Sequence, residues 1–95
     1  VYASTDDGTL LLDVQANLLD HLNTRVVVPL VPFSKAPKPA KVLNPTFEID
    51  ETTYVLLTQF LATVPRRVLG AEVAADLHAE ASTIVNALDC LFQGI

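Results

Sequence analysis

Leu77, Ala81, Ile84, Val85, Leu88, Leu91, Phe92 and Ile95 recur at three- and four-residue steps, the stripe of a helix lying against a core. The spacing predicts a helix of about sixteen residues from Asp76 to Leu91, closing on Leu91-Phe92-Gln93-Gly94-Ile95. Chain ends usually fray into polar residues, whereas these last five positions hold three large apolar side chains and a glycine. Such an end is expected either to be tucked into its own domain or to serve as a contact surface.

Upstream the period shortens. Val1–Thr5 and Thr9–Gln15 are rich in strand formers and flank Asp6-Asp7-Gly8, where Asp-Gly supplies the positive φ angles of a tight hairpin turn. Ala16 to Asn23 is too short for a helix, and its adjacent Leu18 and Leu19 cannot both point inward on a regular element. Arg25–Val31 reads as a buried strand with Pro29 near its end, because proline removes a ladder donor. Pro32–Pro45 holds four prolines and three lysines, a composition that favours extended, exposed backbone with at most a short strand at Lys41–Leu43. Thr46–Ile49 alternates, Asp50-Glu51 turns, Thr52–Gln59 is a further strand, and Phe60–Leu69 continues to a stop at Gly70. Several short strands followed by one terminal helix predict a mainly β, α+β fold, a small barrel-like antiparallel sheet with the helix packed on it.

The chain is 95 residues, 51% of them apolar, which is one domain with a core that needs neither metal nor disulfide. The one cysteine, Cys90, cannot form an intrachain bridge, so a disulfide scaffold is excluded and the cytoplasm is the expected compartment. No apolar run is long enough to span a bilayer. Val1 is not an initiator methionine, and a few residues upstream are expected.

The net charge of −5 is unevenly placed. Residues 1–24 carry four aspartates and no cation; all six Lys and Arg lie from Arg25 to Arg67 against three acids; beyond them come Glu72, Asp76, Glu80 and Asp89. An acidic chain ending in an acidic helix is a poor match for nucleic acid, whose binding rests on phosphate neutralisation. The basic middle suits an acidic peptide or is a solvated face.

Catalytic signals are thin. His21 and His78 are far apart with no cysteines at ligand spacing, so no metal or cofactor is expected. Cys90 sits in an apolar helix, where a thiol is packing rather than nucleophile. The carboxylate pairs Asp6/Asp7 and Asp50/Glu51 fall in predicted turns, where short acids cap or stay hydrated. Neither a Gly-rich phosphate loop nor a Ser-His-Asp signature is found. Residue chemistry alone points to a binding protein and not an enzyme.

Leu11-Leu12-Asp13-Val14-Gln15, Arg25-Val26-Val27-Val28-Pro29-Leu30, Ala62-Thr63-Val64-Pro65, Val68 through Leu77, and Leu91-Phe92-Gln93-Gly94-Ile95 resemble, in order and nearly in spacing, the CcdB toxin family. The resemblance spans essentially the whole chain. It implies one toxin domain over residues 1–95: a barrel-like sheet, a three-stranded wing at about 32–50, and a C-terminal helix, assembled as a homodimer. It further implies a toxin of a type II toxin–antitoxin module, of the kind concerned with plasmid maintenance. Such a protein binds the DNA gyrase A subunit across its two-fold axis, traps the gyrase–DNA cleavage complex and is neutralised by a CcdA-like antitoxin. Operator DNA is reached only through the antitoxin complex, and no membrane is involved.

Carried over by position, the gyrase-facing residues are Leu18, Leu19, Asp89, Phe92, Gln93, Gly94 and Ile95. Two depart from the family's pattern, which has tryptophan where this chain has Gln93 and asparagine where it has Asp89; the chain contains no tryptophan at all. A central aromatic anchor is worth about 2–4 kcal/mol, or roughly 30- to 1,000-fold in affinity, and Asp89 adds a carboxylate whose desolvation must be offset. The sequence therefore leaves open a second function, a CcdB-fold interaction protein that binds an antitoxin without poisoning gyrase. A MazF-like endoribonuclease is the less favoured reading, opposed by the acidity and the missing polar cluster.

Overall fold

The computed structural model describes residues 1–5, 7–15 and 22–94, without the side chains of residues 71 and 72. Among them are strands β1 (Tyr2–Ser4), β2 (Leu10–Asp13), β3 (Thr24–Pro32), β4 (Thr46–Ile49), β5 (Thr52–Leu56), β6 (Ala62–Pro65) and β7 (Leu69–Val73), followed by helix α1 (Ala81–Gln93). The strands make one antiparallel sheet in the order β4-β5-β3-β2-β1-β7, with β6 joined to β3 off that path. The sheet is open, and with its single C-terminal helix among the described residues it is a small α+β fold.

β3 is the spine. One of its edges pairs with β2; the other pairs with β6 over Thr24–Val27 and with β5 over Leu30–Pro32. Pro29 is accordingly interior rather than near the strand's end. Its carbonyl accepts the Leu57 N–H at 2.9 Å, so its nitrogen faces the same edge, in the gap where β6 gives way to β5. The missing donor interrupts neither ladder.

Two hairpins follow their turn chemistry. Gly8 has φ +77°, its N–H donates to the Ser4 carbonyl at 2.9 Å, and the Ser4 N–H donates to the Thr9 carbonyl at 2.8 Å. Between β4 and β5, Asp50 and Glu51 have φ of 50° and 66°, the sign that two-residue hairpins demand at both turn positions.

Elsewhere, the elements differ from the sequence-based expectation for local reasons. Lys41–Leu43 is a turn and not a strand, because Asn44 gathers the backbone around itself: its Oδ1 accepts from the Ala40 N–H, and its N–H donates to the Ala40 carbonyl. β5 stops at Leu56 and a 3₁₀ turn, Thr58–Phe60, takes the chain away. β7 runs past Gly70 to Val73; a Cβ on Gly70 would lie 2.9 Å from the Ala3 carbonyl oxygen, so the glycine admits the neighbouring backbone at an irregularity of the β1–β7 register instead of stopping the strand. α1 starts at Ala81, later than Asp76, because Asp76 Oδ1 takes the His78 N–H at 2.8 Å and a 3₁₀ turn, His78–Glu80, intervenes.

Val1, Leu12, Val28, Leu30, Phe47, Ile49 and Leu56 form the core cluster, with Ala75, Leu77 and Ile84 packed on it from the chain leading into α1 and from α1 itself. Adjacent Val27 and Val28 are both buried, as are Leu11 and Leu12. Successive strand residues face opposite sides, so the centre of the sheet is covered on both. No described helix is long and apolar enough to cross a membrane.

Candidate functional site

α1 reads ASTIVNALDCLFQ. Ile84, Ala87, Leu88 and Leu91 form the inner face at helical spacing, with Ala87 fully buried. Ser82, Val85, Asn86, Asp89, Phe92 and Gln93 form the opposite stripe. The helix ends at Gly94, whose φ of +70° is the left-handed cap that glycine adopts without a Cβ penalty, and whose N–H donates to the Cys90 carbonyl at 3.0 Å.

Of the residues predicted for the site, Asp89, Phe92, Gln93 and Gly94 come together at this helix end. Phe92 is 69% exposed, Gln93 and Gly94 are exposed, and Asp89 is half-buried. Residues three and four apart on a helix are surface neighbours, so Asp89, Phe92 and Gln93 share one face. Leu18, Leu19 and Ile95 lie outside the described residues. Val85, on the same stripe, is 53% exposed. Phe60, 58% exposed, belongs to the 3₁₀ turn lying against α1.

Sequence reasoning missed the anchors around the chain between β2 and β3. Arg25 is buried and its Nε donates to Asp13 Oδ2 at 2.8 Å; Asp13 Oδ1 accepts the Gln15 N–H; Gln15 Oε1 accepts the Val26 N–H. Arg66 donates from Nε and Nη2 to the Leu22 carbonyl, at 3.2 and 2.9 Å. A cation opening an apolar strand and an acid closing the strand before it was the signal available in Arg25 and Asp13. A groove of about 770 Å³ lies between α1 and the sheet, lined among others by Leu12, Arg25, Leu69, Ile84 and Val85.

The remaining candidates have structural roles. The Thr9 N–H donates to Asp7 Oδ1 at 3.0 Å and holds that exposed carboxyl below the usual carboxylate range; Asp6 is outside the described residues. Asp50 and Glu51 form an exposed turn. Cys90 is a half-buried free thiol. Among the described residues no group of three or more His, Cys, Asp or Glu is placed to hold a metal ion; His21 lies outside them.

An open antiparallel sheet carrying a C-terminal helix defines the class: a small α+β protein with an exposed aromatic at the helix end. The particular family follows from comparison with known proteins. The family described as "CcdB protein" matches residues 1–94, and the chain belongs to the CcdB family. It is a CcdB-like protein of a toxin–antitoxin system.

Proposed function

We propose that this chain is a toxin that binds the DNA gyrase A subunit through the end of α1 and traps the gyrase–DNA cleavage complex. The observation that supports the reading is the apolar stripe of Val85 and Phe92, 53% and 69% exposed on one face of a glycine-capped helix, since exposed apolar patches mark interaction sites. Residues 1–95 act as one toxin unit, without catalysis of its own. It works as a homodimer, because a two-fold target is met by presenting the same patch twice. The strands β3, β5 and β4 with the chain at 32–50 make the wing. Its exposed Lys35, Lys38 and Lys41 suit the acidic, folding-on-binding tail of a CcdA-like antitoxin, and operator DNA is reached through that complex.

A second reading, an interaction protein that binds the antitoxin and spares gyrase, is favoured by one specific feature: Gln93 and Asp89 stand on the exposed face where the family has tryptophan and asparagine. The experiment that separates the two is calorimetric titration of a gyrase A fragment, together with a cleavage-complex assay. The toxin reading expects weak binding by the wild-type chain and a gain of roughly 30- to 1,000-fold for Gln93→Trp. No heat at high micromolar concentration from either protein leaves the antitoxin-binding reading standing.

A further inference from the structure

β2 and β3 are apolar on both faces, which leaves their alignment without its usual guide. Where one face of a sheet is wet, a one-residue slip carries the apolar set into solvent, and that cost holds the strands in register. Here Leu10, Leu11 and Leu12 lie opposite Leu30, Pro29 and Val28, with Val27 and Val26 next along β3. Leu11 and Leu12 are both buried, and so are Val27 and Val28, so a slip sets one aliphatic side chain against another on either face. Pro29 does not arbitrate, because its carbonyl, and with it its nitrogen, lies on the edge away from β2. Nor does the turn: β2 ends at Asp13 and β3 begins at Thr24, a connection far longer than the loops of about two to five residues that fix a hairpin's register.

The polar groups at the end of β2 are less tolerant. Asp13 is paired with Val27, so Arg25 is its diagonal neighbour on the same face, and the buried Arg25 donates from Nε to Asp13 Oδ2 at 2.8 Å. Asp13 Oδ1 accepts the Gln15 N–H at 3.0 Å, and Gln15 Oε1 accepts the Val26 N–H at 2.9 Å. A slip by one residue sends Asp13 and Arg25 to opposite faces. A slip by two in one direction leaves Arg25 four residues from the position facing Asp13; in the other it sets the two directly opposite and takes Gln15 away from Val26. Breaking the pair leaves a buried guanidinium without its carboxylate, which lowers the population of a slipped form by a factor of about a hundred or more. We propose that the Arg25–Asp13 pair, together with Gln15, is a register lock: it selects one alignment of β2 on β3 from several that apolar packing accepts. This goes beyond the gyrase-binding reading and does not depend on it.

The test is nuclear magnetic resonance of the full chain carrying Asp13→Leu and Arg25→Met together, beside the wild type. A single substitution strands a buried charge and destabilises the protein for that reason alone, whereas replacing both partners by apolar side chains leaves stability equal or higher. Because Pro29 bonds away from β2, Leu11–Pro29 and Asp13–Val27 are the pairs that exchange no hydrogen bonds with each other. Such pairs bring their Cα atoms to about 4.5 Å, so contacts between the α-protons of residues 11 and 29, and of 13 and 27, mark the native register. The wild type is expected to give one set of amide resonances with those contacts. The double variant is expected to remain folded and to populate other alignments in roughly a tenth of the molecules or more, seen as α-proton contacts from residues 11 and 13 to other positions on β3. A folded double variant with the native contacts alone overturns the proposal, since packing then aligns the strands unaided. One that does not fold overturns it as well, because the pair then supplies stability and not a choice of register.

Discussion

Glu51 adopts φ of 66° at the tip of the β4–β5 hairpin, next to Asp50 at 50°. A non-glycine residue in this region carries a steric cost that glycine does not, and the second position of such a turn is where glycine is most favoured. Glu51→Gly is expected to raise stability by about 0.5–1 kcal/mol and Tm by roughly 2–8 °C, read by thermal unfolding; an unchanged or lower Tm would show that the turn is unstrained. Single positions of this kind are partly legible in sequence. Gly8 announced its turn and Asp50 announced another, since Asp tolerates the left-handed geometry. Gly70 misled, because a glycine that ends a strand and one that lets a neighbouring backbone approach are written alike.

Among the elements, the connection from β3 to β4 shows what composition leaves out. Its prolines and lysines predict an exposed excursion, and most of it is exposed. Yet Asn44 within it is 6% exposed and donates from Nδ2 to the Leu56 carbonyl at 3.0 Å and to Gln59 Oε1 at 2.7 Å, while Thr58 Oγ1, fully buried, donates to the Leu43 carbonyl at 2.6 Å. The lysine-bearing loop is thereby tied to the 3₁₀ turn that lies against α1. Asn44→Ala leaves the Leu56 carbonyl and the Ala40 N–H without their side-chain partner and should cost about 2–3 kcal/mol. Denaturant unfolding measures the loss, and faster amide exchange is expected across residues 36–45. A loss within about 0.5 kcal/mol would show that other groups take over those bonds. The period of α1 was legible as a helix, and its start was not, because the Asp76 carboxylate competes for the backbone just where the apolar stripe begins.

At the scale of the whole molecule, the proposed function requires two copies. Sedimentation of the purified chain is expected to give a dimer, and titration against a two-fold gyrase A fragment one toxin dimer per fragment dimer. A monomer that binds one fragment subunit with undiminished affinity would remove the symmetry on which the proposal stands. The acidic balance of the chain and of its terminal helix disfavoured nucleic acid and pointed to a protein partner. The Arg25–Asp13 pair and the Arg66 anchor on Leu22 were not foreseen, since they join residues whose contact depends on strand register and on where the chain returns.

The periodicities of 3.6 and 2 determined which stretches of this chain become helix and strand, and five ordered segments determined its family, because backbone sterics and side-chain alternation act on near neighbours that a sequence displays directly. Only the tertiary structure decided that β3 serves two partners along one edge, so that Pro29 sits harmlessly in the gap between them. It also decided which face of α1 is covered. Burial is a property of what lies across the fold, and on α1 it covers Ala87 fully while leaving Val85 and Phe92 exposed.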